Sequence, residues 1–266
     1  MPTVQANMIQ LYYEIHGAGQ QLVFIHGLCS STRDWEAQVR EFSTSYQVIT
    51  FDLRGHGQSD KPAGPYHMAM FSADLAGLLE TLGIETAHVV GLSLGGAVAL
   101  QFALDYGARI ETLTVVNSGP TLGEPAQAQQ EIERRVGIVQ QLGMRAMGQA
   151  LSPNLFPKPE QASLRETFVA RWAENDPQAY IEATRSLLGW DVTNRLSTLE
   201  CPTLVIAADQ DYSPVAVKEA YVKLIPNARL IVMADAHHAV SMEQPRQFNM
   251  ALMRFLTAHT NPRSHV

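Results

Sequence analysis

A serine between two glycines is the first residue in this sequence whose surroundings suggest chemistry. The segment Gly91-Leu92-Ser93-Leu94-Gly95 follows the apolar run His88-Val89-Val90 and opens a helical pattern from Gly96 to Leu100. A strand that passes at once into a helix is the setting in which a G-x-S-x-G turn holds a nucleophilic serine. The flanking residues must be small because the backbone passes close by, and the helix start supplies main-chain N–H groups. The segment therefore predicts that Ser93 is a nucleophile in acyl transfer.

A serine hydroxyl needs a base, and the base needs a group that orients it. His237 and His238 come soon after the last apolar run of the chain, and Asp209 and Asp211 come directly after the run before it. The order serine, acid, histidine is the one that accompanies a G-x-S-x-G turn. If both runs are parallel strands, these residues lie at the carboxyl ends, where open α/β sheets bind ligands. The residues alone leave two candidate bases and two candidate acids.

The elements that must position these groups alternate along the chain. Six short runs are apolar nearly throughout, which is typical of strands buried on both faces: Leu22–His26, Gln47–Phe51, His88–Gly91, Thr112–Asn117, Thr203–Ala208 and Arg229–Met233. Between them lie five predicted helices: Trp35–Phe42, Ala69–Leu82, Leu94–Tyr106, Val215–Ile225 and Pro245–Ala258. This alternation predicts an α/β fold with a doubly wound, mostly parallel sheet.

One long segment, from about residue 119 to 196, interrupts the alternation. It contains no convincing strand, and its helical patterns cover Pro125–Leu142, Gly143–Leu151, Glu160–Glu174 and Pro177–Leu187, with a turn expected at Ser152-Pro153. We expect a core formed by residues 1–118 and 197–266, with residues 119–196 as an inserted helical cap. The alternative is two long crossover helices joined by loops.

Composition excludes several classes of protein. The 266 residues carry a formal net charge of −7, without the positive stripe that binding to nucleic acid requires. No apolar run is long enough to span a membrane, and the first residues do not resemble a signal peptide. Two cysteines form no disulfide framework. We expect a cytoplasmic protein that acts on a small molecule and binds neither nucleic acid nor membranes.

The sequence contains no motif for a cofactor or a metal. There is no H-E-x-x-H or C-x-x-C motif, and Gly55-His56-Gly57 lacks the third glycine of a dinucleotide-binding segment. Cys29 has no histidine motif paired with it, so we interpret it as a small packing residue. We therefore predict neither a cofactor nor a metal ion.

Four motifs, spread from His26 to Pro245, together resemble a known superfamily. They are His26-Gly27-Leu28-Cys29, the D-x-R-G-x-G-x-S loop from Asp52 to Ser59, the serine turn at 91–95, and His238 with Glu243 and Pro245. With them the chain resembles the α/β-hydrolase fold superfamily, in the capped branch that includes small esterases, cofactor-free perhydrolases, enol-lactonases and C–C bond hydrolases.

The resemblance selects among the open candidates. Counting back from Glu243 and Pro245 places His238 at the catalytic position and His237 where the family usually has glycine. The family's G-x-x-D segment corresponds to Ala208–Asp211, which favours Asp211 over Asp209 as the acid. Some relatives carry the acid after the preceding strand, but this chain has Asn117 there, and a neutral amide cannot stabilise an imidazolium as a carboxylate does.

The resemblance also implies an oxyanion hole formed by main-chain groups. The N–H of Leu94, next to the nucleophile, and the N–H of Leu28, after His26-Gly27, correspond to the family's two donors. His26 is expected to have a structural role. The loop from Arg54 to Gly57 is expected to brace the site.

These residues predict a serine hydrolase that cleaves a small, mostly apolar carboxylic ester or lactone through an acyl-enzyme. The alternatives are an enol-lactone or C–C bond hydrolase, or a non-catalytic receptor for a small ligand on the same fold. An enol-lactone with a carboxylate needs a cation, and five arginines of the inserted segment are candidates: Arg134, Arg135, Arg165, Arg171 and Arg185. The inserted segment also supplies apolar side chains, of which some should form its own small core and the others should line the pocket. These candidates are Leu151, Leu155, Phe156, Phe168, Trp172, Tyr180, Leu187, Leu188 and Trp190.

Overall fold

The computed structural model describes residues 2–259 and contains one eight-stranded sheet. The strand order is β1-β2-β4-β3-β5-β6-β7-β8. Strand β2 is antiparallel to β1 and β4, and β4, β3, β5, β6, β7 and β8 are parallel. The bounds are β1 Thr3–Ala6, β2 Ile9–His16, β3 Gln20–Ile25, β4 Tyr46–Phe51, β5 Ala87–Leu92, β6 Ile110–Val116, β7 Thr203–Ala208 and β8 Ala228–Met233. The prediction of a mostly parallel α/β sheet is confirmed.

Helices cover both faces of this sheet. Their bounds are α1 Glu36–Phe42, α2 Met68–Thr81, α3 Leu94–Asp105, α4 Pro125–Leu155, α5 Ala162–Ala173, α6 Pro177–Arg185, α7 Val215–Val222, α8 Val240–Glu243 and α9 Pro245–Thr257. In β3, Val23 and Ile25 pack into the apolar layer that contains residues of α2 and α3, whereas Leu22 and Phe24 pack into the layer that contains residues of α1 and α9. All four side chains are fully buried. A strand with helices on both faces must be apolar throughout, which explains why these runs do not alternate.

The antiparallel hairpin of β1 and β2 was not predicted. It lies at the edge of the sheet, and its turn is formed by Asn7 and Met8, both with positive φ (45° and 66°). Burial alternates along the start of β2, so this strand lacks the continuous apolar run that marks the parallel strands. The turn also lacks the Asn-Gly or Asp-Gly pair that signals a two-residue hairpin.

Helix α4 differs from the two helices predicted for its residues. The predicted break at Gly143 is present, because Gly143 has φ of 80° and ψ of 175° inside the helical run. The predicted turn at Ser152-Pro153 is wrong, since α4 continues to Leu155. Pro153 cannot donate to the carbonyl of Gln149, but the Ser152 hydroxyl donates to that carbonyl at 3.4 Å. The hydroxyl thus replaces part of the bonding that proline removes.

Helices α4, α5 and α6 all lie between β6 and β7 in the chain and share an apolar cluster. This cluster also includes Cys29, after β3, and Ala239, after β8. Thr121 and Asp191 form an antiparallel bridge, so the two ends of the inserted residues lie side by side. Within residues 2–259, no helix is both long and apolar enough to cross a membrane.

Candidate active site

Ser93 occupies a tight turn between β5 and α3. Its φ of 56° and ψ of −118° are rare for a residue other than glycine. The Ser93 N–H donates to the Val116 carbonyl at 2.9 Å, and its own carbonyl accepts the N–H of Gly96 at 2.9 Å. The turn is held from both sides, which allows a strained serine to persist.

The two flanking glycines are required by close backbone contacts. A Cβ atom on Gly91 would lie 2.1 Å from the carbonyl oxygen of Gly95, and one on Gly95 would lie 2.2 Å from that of Ile25. Both obstacles are main-chain atoms, which cannot move aside as a flexible side chain can. The small residues inferred from the motif are therefore necessary for this turn.

The residues after β7 and β8 bring a histidine and a carboxylate together. Nδ1 of His238 lies 2.5 Å from Oδ1 of Asp211. Asp209 makes no such contact; its carboxylate accepts the N–H groups of Asp235 and Ala236, each at 3.1 Å. The His237 ring faces away toward Glu243, with Nδ1 2.9 Å from Oε1. Of the two histidines and two aspartates, the structure thus pairs His238 with Asp211.

The Asp211 carboxylate is buried and held in its ionised form. Burial raises the pKa of Asp211, but hydrogen bonds from His238 and from the Lys218 ammonium outweigh it, so the pKa lies below its ordinary value. Lys218 Nζ lies 2.5 Å from Oδ2 of Asp211. Each carboxylate oxygen of Asp211 therefore has its own partner.

Ser93, Asp211 and His238 line one cavity of about 880 Å³. Among residues 2–259, the hydrogen bonds of the structure include none between the Ser93 hydroxyl and the His238 ring. The cavity thus joins the three side chains around a space where a reacting carbonyl can sit.

Two residues beside Ser93 have main-chain N–H groups that are relevant to the same cavity. Leu94 begins α3, and Leu28 follows β3, and both residues line the cavity. Within residues 2–259, no acceptor pairs with the N–H of either residue. Unpaired main-chain amides close to a serine hydroxyl are the kind of group from which an oxyanion hole can be built.

His26 fixes the segment that carries Leu28. The N–H of Leu53 donates to Nε2 of His26 at 3.0 Å, so Nδ1 carries the proton and donates to the Gly27 carbonyl at 2.7 Å. Burial lowers the pKa of His26 to about 4, which keeps the ring neutral. Both ring nitrogens of this neutral histidine are therefore engaged with the main chain, and the structural role expected for His26 stays a prediction.

The loop from Asp52 to Ser59 is connected to neighbouring elements by hydrogen bonds and an ion pair. The Asp52 carboxylate accepts the N–H groups of Thr32 and Gln58, each at 2.8 Å. Arg54 is buried and forms a two-bond ion pair with Asp74 of α2, with both distances 2.5 Å. None of these side chains contacts Ser93 or His238, which agrees with a bracing role.

The cavity wall is largely apolar and extends to the surface. From the inserted residues it includes Leu151, Leu155, Phe168, Trp172, Leu187 and Trp190, whereas Phe156, Tyr180 and Leu188 do not line it. Four exposed apolar side chains also border it: Leu122, Tyr212, Val217 and Leu224. An exposed apolar patch that continues into a cavity is typical of a ligand entrance.

Of the five candidate arginines, Arg135 alone lines the cavity. Its Nε donates to Glu131 at 2.7 Å, and Glu131 also accepts two bonds from Arg134, each at 2.8 Å. These hydrogen bonds lower the pKa of Glu131 to about 2, and the bond from Arg134 has the largest effect. Arg165 donates to main-chain carbonyls, and Arg171 and Arg185 pair with carboxylates of the protein. No arginine of this set faces the cavity without a carboxylate partner.

Comparison with known proteins agrees with this geometry. The family model for the alpha/beta hydrolase fold matches residues 21–245. The chain belongs to the α/β-hydrolase fold family. It is 29% identical to a protein of Azorhizobium caulinodans provisionally named carbamate hydrolase RutD, over 96% of this chain and 98% of the relative. It is 30% identical to 3-oxoadipate enol-lactonase 2 of Acinetobacter baylyi, over 94% of each chain.

A solved α/β-hydrolase structure shows the same architecture. A thermophilic esterase from Thermogutta terrifontis superposes with a TM-score of 0.90 and 29% identity, covering 98% of this chain and 100% of the esterase. The fold expected from the four motifs therefore extends over nearly the whole chain.

Three residues of this α/β hydrolase site were not identified from the sequence. Lys218 contacts Asp211, Asn117 contacts the main chain of His238, and the Tyr212 ring lies 4.5 Å from the His238 ring, centroid to centroid. Tyr212 follows Asp211 directly, so its position in the sequence was a usable signal. Lys218 and Asn117 act through contacts with residues far along the chain or on a different element, and no local pattern marks them.

Proposed function

We propose that this protein is a serine hydrolase that cleaves a small, uncharged, mostly apolar carboxylic ester or lactone. The observation that carries the proposal is the His238–Asp211 pair, at 2.5 Å, lining one apolar cavity with the strained Ser93 turn. A nucleophile, a base with its orienting acid, and free amides are the parts that acyl transfer requires.

The proposed reaction follows from these positions. The His238 ring donates from Nδ1 to Asp211, which leaves Nε2 free to accept the proton of Ser93. The Ser93 oxygen attacks the carbonyl carbon, and the N–H groups of Leu28 and Leu94 stabilise the oxyanion. The ester C–O bond then breaks, and His238 returns the proton to the leaving oxygen. A water molecule repeats the sequence on the acyl-enzyme and releases the acid.

The cavity favours neutral substrates. Its wall is mostly apolar and includes many leucine and aromatic side chains, and the charges that line it are paired within the protein. Moving a carboxylate into such a wall without a free cation costs binding energy. The enol-lactonase relative is named for a substrate that bears a carboxylate, so we propose that this chain differs from it in substrate charge.

The inserted residues 119–196 are proposed to act as a cap. Their helices share an apolar cluster with residues beside the Ser93 turn and the His238 loop, and they form much of the cavity wall. A wall of this kind limits bulk water around the reacting groups, which strengthens the electrostatic interactions between them.

A substrate screen tests the proposal. We expect hydrolysis of neutral 4-nitrophenyl esters and simple lactones by the wild-type chain, and loss of at least a thousandfold in Ser93→Ala, the scale typical of a removed nucleophile. Tight retention of one small ligand without turnover would favour the receptor alternative instead. Bleaching of a yellow dienoic ring-cleavage product would favour C–C bond hydrolysis.

A further inference from the structure

Lys218 is a fully buried cation beside the proposed acid. It lies on α7, and its side chain is 1% exposed. Its Nζ atom donates to Oδ2 of Asp211 at 2.5 Å, to the Ser213 carbonyl at 2.6 Å and to the Ser213 hydroxyl at 2.5 Å. All three ammonium protons are thus used inside the protein.

Burying a charged lysine is unfavourable, so the contacts that stabilise Lys218 in this position need to be identified. Removing an ammonium group from water is strongly unfavourable unless a charge and hydrogen bonds compensate. Here the compensating charge is the same carboxylate that holds His238. The Asp–His pair of a serine hydrolase needs no additional cation, and a positive charge near the carboxylate opposes formation of an imidazolium.

We propose that Lys218 is a positioning residue for the hydrolytic reaction, acting on His238 through Asp211. The ammonium group holds the carboxylate by Oδ2, so that Oδ1 remains directed at the imidazole. Its positive charge partly offsets the carboxylate, so we expect that removing this charge makes it easier for an imidazolium to form at the same carboxylate. This inference rests on the proposed function of Ser93 and His238.

The other ionisable groups around the imidazole do not supply this charge. Burial raises the pKa of Tyr221, so that phenol remains neutral near pH 7. The half-exposed Tyr212 phenol is neutral there too, since tyrosine ordinarily has a pKa of about 10. His237 contacts Glu243, and Arg135 contacts Glu131. Among residues 2–259, Asp211 is the acidic group that contacts His238, and Lys218 is the cation that contacts Asp211.

Three substitutions separate charge from structure. Lys218→Met removes the charge and the hydrogen bonds, Lys218→Gln keeps a donor without the charge, and Lys218→Arg keeps the charge. The pH dependence of kcat/KM is measured for each variant on a neutral 4-nitrophenyl ester. We expect the acidic limb to move to higher pH by about one unit in Lys218→Met and Lys218→Gln, the scale of one adjacent charge. Lys218→Arg should keep the acidic limb of kcat/KM at the pH that the wild type has.

A measurement that does not depend on turnover makes the test independent of the proposed function. The ring protons of His238 are followed by NMR against pH, with their signals assigned by their loss in His238→Gln. We expect the same upward shift in both uncharged variants, and circular dichroism shows which variants remain folded.

The outcomes distinguish the two claims. A His238 midpoint that is unchanged in every folded uncharged variant overturns the role of Lys218, whatever the activity. Equal shifts in Lys218→Arg and Lys218→Gln would overturn it too, because the charge would then not be the cause. Retained hydrolysis in Ser93→Ala, by contrast, overturns the proposed function and leaves the NMR result to decide the role of Lys218.

Discussion

The side-chain amide of Asn117 donates a hydrogen bond of 2.8 Å to the main-chain carbonyl of His238. The same amide group reaches the His237 carbonyl at 3.2 Å, and its oxygen accepts the Ala208 N–H at 2.7 Å. Asn117 thus connects the end of β6 to the end of β7 and to the loop that carries the proposed base. An amide is required here, because one side chain must both donate and accept.

We predict that Asn117→Asp impairs catalysis more than binding. A carboxylate accepts the Ala208 N–H equally well, but it places an unprotonated oxygen against two carbonyl oxygens. Leaving buried polar groups without partners costs about 1–3 kcal/mol. We expect kcat to fall about tenfold or more, with KM nearly constant and a lower thermal midpoint. Wild-type kinetics in Asn117→Asp would show that this connection does not hold His238.

The second prediction concerns substrate charge. A neutral 4-nitrophenyl ester and a 4-nitrophenyl half-ester of a dicarboxylic acid with similar chain length differ mainly in one carboxylate. We expect wild-type kcat/KM to favour the neutral ester by about tenfold or more, equivalent to about 1.4 kcal/mol. The physical reason is that Arg135 already pairs with Glu131 and is therefore not free to bind a substrate carboxylate.

Glu131→Gln should reduce that preference. Without its carboxylate partner, Arg135 presents an unpaired positive charge to the cavity, so we expect the half-ester to gain several-fold relative to the neutral ester. Glu133→Gln is the matched control, because Glu133 lies on the same helix, pairs with Arg185 and does not line the cavity. An unchanged ratio in Glu131→Gln, or an equal change in the control, contradicts the interpretation.

The third prediction concerns stability at acidic pH. Burial lowers the pKa of His26 to about 4, of His56 to about 3 and of His88 to about 4. Between the ordinary histidine value of about 6.5 and these values, the unfolded chain binds protons that the folded chain does not. The free energy of unfolding must therefore fall as pH decreases from about 6.5 toward 4, by up to about 1.4 kcal/mol per pH unit for each histidine.

Urea unfolding at pH 7 and pH 5 measures this loss. His88 is the residue to replace, since it lies in the core away from the Ser93 cavity and bonds to Thr112 at 2.9 Å. We expect the loss of unfolding free energy between the two pH values to be smaller in His88→Gln by about 2 kcal/mol. If His88→Gln loses as much unfolding free energy between pH 7 and pH 5 as the wild type does, then burial of a neutral His88 is not a source of the loss.

Local patterns were sufficient to predict most of the fold. The parallel strands and the Ser93 turn depend on neighbours in sequence, namely apolar runs, glycines and the helix that follows. Residues that follow parallel strands converge at one edge of the sheet, which made two histidines and two aspartates candidates. The family resemblance then favoured His238 and Asp211. Where the residues alone left His237 and Asp209 open, the structure gives each a different partner, Glu243 for the first and main-chain amides for the second.

The parts that were missed depend on distant contacts. Lys218 has the pattern of an ordinary surface residue on α7, and only the packing of α7 against the sheet buries it. In the sequence, Asn117 was noted only because some relatives carry their catalytic acid at that position. In the structure, its side-chain amide binds the main chain of His238, 121 residues further along the chain. Arg135 and Glu131 are four residues apart on one helix, so their pairing could be predicted from local sequence. That the pair lies in the cavity wall depends on how the helix packs, which local sequence does not show.

The most direct test of the central claim is covalent labelling by a fluorophosphonate, with the modified residue located by peptide mass spectrometry. We expect one adduct, on Ser93, which forms in parallel with the loss of ester hydrolysis and is absent from Ser93→Ala. We also expect much slower labelling in His238→Gln, because the serine then lacks its base. An adduct on another residue, or hydrolysis that survives in Ser93→Ala, would contradict the account.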